Sequence, residues 1–85
     1  MSTADKVIAI VAKQLRRDPA EIDLTTNLEQ AGYESLDVIE TIFAIEEEFD
    51  IEVSFNANTD DAQQWQTVGD VVARVDQEVA RQRGA

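Results

Sequence analysis

The sequence predicts an all-α fold, a small four-helix bundle with three long helices and one short helix. Apolar residues recur at helical spacing in three stretches, at about 4–17, 36–49 and 68–81, and capping residues precede the first and the last of them. A chain of 85 residues fits a single domain, spanning 1–85, with one modest core. The three stretches therefore have to pack against one another.

The first predicted helix, at about residues 4–17, begins after Ser2 or Thr3, either of which can cap it. Its apolar stripe follows the i, i+4, i+8 pattern: Val7, Val11 and Leu15. Basic residues at its end suit the helix dipole, and Asp18-Pro19 terminates it.

The stretch from Pro19 to Glu34 has no helical period and is predicted to be a loop. Because long structureless loops are uncommon in compact domains, apolar side chains should pin it to the core. The candidates are Ile22, Leu24 and Leu28. Thr26 and Glu29 have the spacing of a capping box, which predicts one helical turn that stops at Gly32.

The second predicted helix, at about 36–49, carries two apolar groups. One narrow stripe has the spacing of a core-facing surface: Val38, Ile42, Ile45 and Phe49. A second strip lies about a third of a turn away and is bordered by acidic residues: Leu36, Ile39 and Phe43. An apolar strip between acids is typical of a docking surface.

The segment after the second helix alternates apolar and polar residues at Ile51, Val53 and Phe55, as a strand would. A single short strand has no partner in this chain, so an extended link with buried anchors is predicted instead. Asn56, Asn58 and Asp60 resemble the start of a calcium loop, but the frame lacks its glycine and its bidentate glutamate, so no metal site is predicted. A short third helix is predicted at about 60–65.

The last predicted helix, at about 68–81, begins with a cap formed by Thr67 and Asp70. Its apolar stripe recurs at i, i+4, i+7 and i+11: Val68, Val72, Val75 and Val79. Since valine is a middling helix former, packing must hold this helix.

Charge and composition exclude several classes of function. The net charge is −11, and no lysine or arginine occurs between Asp18 and Ala73, which argues against nucleic-acid binding. The chain has no cysteine and no histidine, so self-contained hydrolase chemistry at a serine is not expected. No apolar run reaches the roughly 20 residues of a membrane span, and a cytoplasmic location is predicted.

The motif Gly32-Tyr33-Glu34-Ser35-Leu36-Asp37, followed by Glu46-Glu47-Glu48-Phe49-Asp50, resembles the acyl carrier proteins. Their mark is Gly-x-Asp-Ser-Leu followed by an acidic, aliphatic helix, and the likeness extends over most of the chain. Glu34 departs from the family's usual Asp. The resemblance implies a non-enzymatic carrier that bears acyl intermediates as thioesters in fatty acid, lipid or specialised acyl biosynthesis.

The resemblance also implies roles for particular residues. Ser35 would receive a covalent 4'-phosphopantetheine from a separate phosphopantetheinyl transferase. Transferases and acyl-transferring enzymes would dock through basic patches on a monomeric carrier, at Glu34, Leu36, Asp37, Ile39, Glu40, Phe43, Glu46 and Glu47. An acyl chain would enter between the helices, against Val38, Ile42, Ile45, Phe49, Val68 and Val72.

Other interpretations remain open from the sequence alone. Ser35 would also be a good structural N-cap for the second helix. The domain could be an aminoacyl or peptidyl carrier, although the acidic second helix favours discrete acyl carriers. It could also be an acidic interaction module without a prosthetic group, in which the acids serve solubility.

Overall fold

The computed structural model describes residues 2–53 and 65–83. Its elements in chain order are α1 (Thr3–Leu15), a 3-10 turn (Pro19–Glu21), α2 (Ser35–Phe49) and α3 (Val68–Gln82). These residues include no strand and one isolated bridge, between Asn27 and Thr67. The all-helical prediction is confirmed in this part of the chain. The predicted short helix at about 60–65 and the calcium-like frame of 56–60 fall outside the described ranges, apart from residue 65.

Helix α1 begins as the sequence predicts and ends earlier. The Ser2 hydroxyl accepts a hydrogen bond from the Asp5 N–H at 3.1 Å. Arg16 adopts a left-handed conformation with φ of 58°, and the Arg17 N–H donates to the Ala12 carbonyl at 2.9 Å. This pattern closes the helix at Leu15, two residues before the predicted end, because a left-handed residue reverses the chain direction.

The core forms where α1 packs against both α2 and α3. Its large, fully buried apolar side chains come from these three helices: Val7, Val11, Ile45, Val68, Val71 and Val75. The predicted stripe of α3 needs a correction, since Val72 and Val79 are only partly buried and Val71 is fully buried. About one helical turn after Val75, the buried residue is Glu78. Its carboxylate pairs with Arg81 and, at 3.8 Å, with Arg74.

The long connection between α1 and α2 is pinned at two of the three predicted positions. Ile22 and Leu28 are buried, whereas Leu24 is 47% exposed, so the prediction for Leu24 is wrong. Its backbone makes the attachment instead, because the Leu24 carbonyl accepts the Gly69 N–H at 2.9 Å. Gly32 has a φ of 104° and turns the chain into α2, at the position where the sequence predicted a turn.

The segment after α2 is extended, with Ile51 and Val53 buried, as predicted. It is held from both sides. The Val53 N–H donates to the Glu46 carboxylate at 2.9 Å, and the Gln82 side chain bonds both the N–H and the carbonyl of Glu52. The far end of α2 is therefore tied to the end of α3.

No helix in the described ranges combines the length and the apolar character needed to cross a membrane.

Candidate functional site

The candidate attachment residue, Ser35, is the first residue of α2 and is exposed. The N-cap position belongs to Glu34, so the interpretation of Ser35 as the cap is wrong. The Asp37 carboxylate accepts the Glu34 N–H at 2.8 Å and so holds the chain entering the helix. Because capping does not use the Ser35 hydroxyl, it is available at the helix surface.

Asp37 is held by α1 as well as by its own helix. The Gln14 side-chain amide donates to Asp37 at 2.7 Å and to Glu40 at 3.0 Å. The Gln14 hydrogen bond, together with that from the Glu34 N–H, holds the pKa of Asp37 below its usual range. Asp37 is therefore a fixed anion two residues after the serine.

A groove of about 590 Å³ adjoins the serine and is called the Ser35 groove below. It is lined by residues of the α1–α2 connection, the start of α2 and the chain before α3: Asn27, Leu28, Glu29, Tyr33, Glu34, Ser35, Val38, Trp65 and Gln66. Two of its walls are joined by backbone hydrogen bonds, since the Leu28 N–H donates to the Gln66 carbonyl at 2.9 Å and the Val68 N–H to the Thr26 carbonyl at 3.0 Å. The groove is thus preformed.

The floor of the Ser35 groove is apolar and belongs to the core. Leu28, Tyr33 and Trp65 line the groove and are each less than a tenth exposed. The Tyr33 hydroxyl lies 2.7 Å from the hydroxyl of Thr41, a buried residue of α2. Burial raises the pKa of Tyr33 to about 12, so the phenol is neutral over the physiological range and anchors this floor.

The predicted docking strip lies on the outside of α2. Leu36, Ile39 and Phe43 are 64%, 46% and 63% exposed, respectively. Together they form what is called the outer strip below. Ile39 and Phe43 also border a smaller groove of about 230 Å³, which Val53 and Glu46 close on the other side. The strip is therefore uneven, with a recess that can take a side chain.

The predicted docking acids occupy different surroundings. Glu34, Glu40 and Glu47 are exposed. Glu46 is half-buried and accepts the Val53 N–H, so it holds the segment after α2 in addition to bordering the small groove. Their docking roles are not tested by these positions and stay predictions.

The predicted acyl-lining residues are not brought together at the serine. Val38 lines the Ser35 groove, whereas Ile42 lines the smaller groove on the outer side of α2. Ile45, Phe49 and Val68 are buried in the core, and Val72 is partly buried. Of the six predicted lining residues, Val38 alone borders the Ser35 groove.

Sequence reasoning missed several residues of the site. Asn27, Trp65 and Gln66 line the Ser35 groove, and Gln14 orients two acids of α2. The groove residues come together through backbone pairing between distant segments, which leaves no periodic pattern in the sequence. The contact of Gln14 could have been predicted, because a polar residue next to the core-facing stripe of α1 needs a hydrogen-bond partner.

The chain matches the family model described as the phosphopantetheine attachment site over residues 5–75. This match covers most of the chain, and the protein belongs to that family. It is a phosphopantetheine carrier protein, and the cofactor of its domain is covalently attached 4'-phosphopantetheine. Such carrier domains are not themselves catalytic and interact with transferases and acyl-handling enzymes.

The residues at the start of α2 fit this group. A phosphodiester there would meet N–H groups that lack partners within the helix and the positive end of the dipole of a 15-residue helix. The adjoining groove offers an apolar floor and amide side chains at its edge, Asn27 and Gln66, which suit a chain that contains both apolar and amide groups.

Proposed function

We propose that Ser35 is the residue that carries the phosphopantetheine arm, and that the protein presents acyl intermediates as thioesters to successive enzymes. The observation that supports this most directly is the position of Ser35. It is an exposed hydroxyl at the first position of α2, free of a capping role, at the edge of a preformed groove.

In the attachment step, a bond forms between the Ser35 oxygen and the phosphorus of coenzyme A that bears the pantetheine. The pyrophosphate bond breaks, the adenosine bisphosphate leaves, and a base of the transferase takes the hydroxyl proton. This chain has no histidine to act as that base, which supports attachment by a separate enzyme. When bound, the arm supplies a thiol that holds acyl groups as thioesters.

The N-terminus of α2 would stabilise the attached phosphodiester, which the neighbouring carboxylates repel. Glu34 and Asp37 flank Ser35, and the low pKa of Asp37 keeps that carboxylate charged. The helix dipole offsets this repulsion over the first turn. The same flanking acids would attract a basic patch on the transferase, which needs to reach the serine.

We also propose that partner enzymes dock on the outer strip and the acids beside it. Exposed apolar side chains in such a row are unusual for a surface that contacts only water. The stretch from Asp18 to Ala73 contains no basic residue, and the negative field of its acids would steer a basic partner.

We also propose a pathway and a type of cargo. The acidic α2 favours a discrete carrier that serves separate enzymes in fatty acid, lipid or specialised acyl biosynthesis. An aminoacyl-type carrier is the second candidate, and the polar edge of the Ser35 groove favours it.

The test is intact mass after incubation with coenzyme A and a broad-specificity phosphopantetheinyl transferase. Wild-type protein should gain the mass of one phosphopantetheine and one free thiol, which is unambiguous because the chain has no cysteine. Ser35→Ala should gain neither. Ser2→Ala, which removes the serine at the start of α1, is the matched control and should still be modified. Modification of the Ser35→Ala protein would refute the assignment.

A further inference from the structure

The Ser35 groove differs from the core in what it can hold. Leu28, Tyr33 and Trp65 belong both to the groove and to the buried core, so they separate the two. A long chain that passed from the groove into the core would have to displace one of these side chains or Val38, which also lines the groove and packs against the core. Moving Tyr33 would also leave the buried hydroxyl of Thr41 without its 2.7 Å partner.

The groove itself has the size of a site for a small molecule. Its volume of about 590 Å³ falls within the range typical of ligand pockets, about 300–1,000 Å³. The walls at 27–29 and 65–66 are joined by the hydrogen bond between Leu28 and Gln66, and the neighbouring bond between Val68 and Thr26 supports it, so little ordering is needed on binding. Because Ser35 stands at its edge, a flexible arm that folds back would bring its acyl end to the groove at an effective concentration of the order of mM.

The charge of the lining distinguishes between polar cargoes. Among the lining residues that the structure describes, Glu29 and Glu34 are the carboxylic acids, and Tyr33 is neutral there. No lysine or arginine occurs in the stretch of sequence, from Asp18 to Ala73, that supplies every wall. A carboxylate on the cargo would be repelled, while an ammonium would be attracted.

We propose that the arm on Ser35 carries a compact acyl group, amino-bearing rather than carboxylate-bearing, which rests in the Ser35 groove instead of among the helices. The apolar part of this group packs on the floor formed by Leu28, Tyr33 and Trp65. Its ammonium faces Glu29 and Glu34. This inference rests on the proposed attachment at Ser35 and adds the class of cargo.

The experiment compares loaded forms of the full chain. A broad-specificity transferase would install the arm with a β-alanyl, a butanoyl, a malonyl or a dodecanoyl group from the corresponding coenzyme A thioester. Intact mass verifies each form. Two quantities are then measured: the rate of thioester hydrolysis relative to the same group on free pantetheine, and the emission of Trp65, which is the single tryptophan and lines the groove.

We expect the β-alanyl thioester to hydrolyse about two- to five-fold more slowly on the protein than on pantetheine. This ratio corresponds to the energy of a partly exposed ion pair between the ammonium and an acid of the groove. The emission of Trp65 should change in the same form. Glu29→Gln should remove most of this protection, and the matched control Asp76→Asn, an exposed acid of α3, should keep it. The malonyl and dodecanoyl forms should be protected less.

Two results would overturn the inference while leaving the attachment intact. The first is greatest protection of the dodecanoyl form together with shifts of core methyl NMR signals, which would place the cargo among the helices. The second is equal hydrolysis of all four thioesters on the protein and on pantetheine. A lack of any mass gain would instead refute the attachment at Ser35, and the inference with it.

Discussion

The two faces of α2 contain similar apolar residues in opposite environments. On the inner face, Ile45 and Phe49 are 0% and 7% exposed, whereas on the outer face Leu36 and Phe43 are 64% and 63% exposed. Among the described elements α2 packs against α1, and a helix that packs on one side buries one stripe. The difference shows that the outer strip is not packed into the core that the described residues form, which is consistent with the docking role proposed for it.

The inner face of α2 also contributes Thr41 to a buried polar pair with Tyr33, which precedes the helix. Thr41 is 1% exposed and shares a 2.7 Å hydrogen bond with Tyr33. This pair lies between the core and the Ser35 groove. Stability and site geometry are therefore linked on the inner side of the helix.

The largest expected difference between the faces is in stability. Phe49→Ala should lower the free energy of unfolding by about 3–5 kcal/mol, because it leaves a cavity in the core. Phe43→Ala, on the same helix with the same change of side chain, should stay within about 0.5 kcal/mol of wild type. Urea denaturation followed by circular dichroism measures both. Similar losses for the two variants would contradict the assignment of the faces.

The burial of Tyr33 predicts a loss of stability at alkaline pH. The pKa of Tyr33 rises from 10.0 to about 12 on folding, so between these values the folded state binds more protons than the unfolded state. The free energy of unfolding should therefore be constant below pH 10 in respect of this group, and should fall as the pH rises from 10 to 12. Since Tyr33 is the single tyrosine, its ultraviolet difference absorbance reports its ionisation directly.

Tyr33→Phe is the control for this titration. This variant should not show the loss of stability that ionisation of Tyr33 causes at alkaline pH. At neutral pH its free energy of unfolding should be lower by about 1–3 kcal/mol, because the buried Thr41 hydroxyl loses its partner. An unchanged pH profile in this variant would mean that other groups cause the loss.

Charge reversals test the outer face. Glu47→Lys should slow the transferase reaction about ten-fold at low salt, since it opposes the attraction of a basic partner. The effect should shrink as the Debye length falls from about 30 Å at 0.01 M to about 8 Å at 0.15 M. Glu40→Lys should act similarly, with an added loss of the Gln14 contact.

Asp76→Lys on α3 changes the net charge by the same amount and is the matched control. It should have a much smaller effect on the rate. Equal losses for all three reversals would mean that only the overall field matters, and the docking surface on α2 would have to be abandoned.

The smallest expected effect comes from the outer strip itself. Phe43→Ala should slow transfer to an acyl-handling partner about two- to five-fold, through faster dissociation of the complex. Its ratio to the wild-type rate should not depend on salt, because no charge is removed. A ratio that follows ionic strength would show that Phe43 acts through the neighbouring acids.

The sequence predicted the three long helices and three of the four core positions of α2, because helical spacing reports which side of a helix is buried; the fourth position, Val38, is only partly buried. Leu24 was predicted to be buried and is exposed, since its backbone carbonyl, rather than its side chain, makes the attachment. Backbone pairing between distant segments has no signature in residue type. The Ser35 groove escaped prediction for the same reason.

In α3 the difficulty was different. Valines at several spacings allow more than one stripe, and the choice between Val71 and Val72 depends on the angle at which the helices pack. The burial of Glu78 was also not predicted. Its signal was the spacing of Arg74 and Arg81, one helical turn to either side.

The hydrogen bonds that join the connection before α2 to the start of α3 bear on the order of events during synthesis. Leu24, Thr26 and Leu28 leave the ribosome well before the residues they pair with, Gly69, Val68 and Gln66. Contacts between such distant segments form late in folding, because loop closure opposes them. The helix that begins at Ser35 can therefore exist on a nascent chain while one wall of its groove is still missing. A product released before α3 would carry the serine without the site around it.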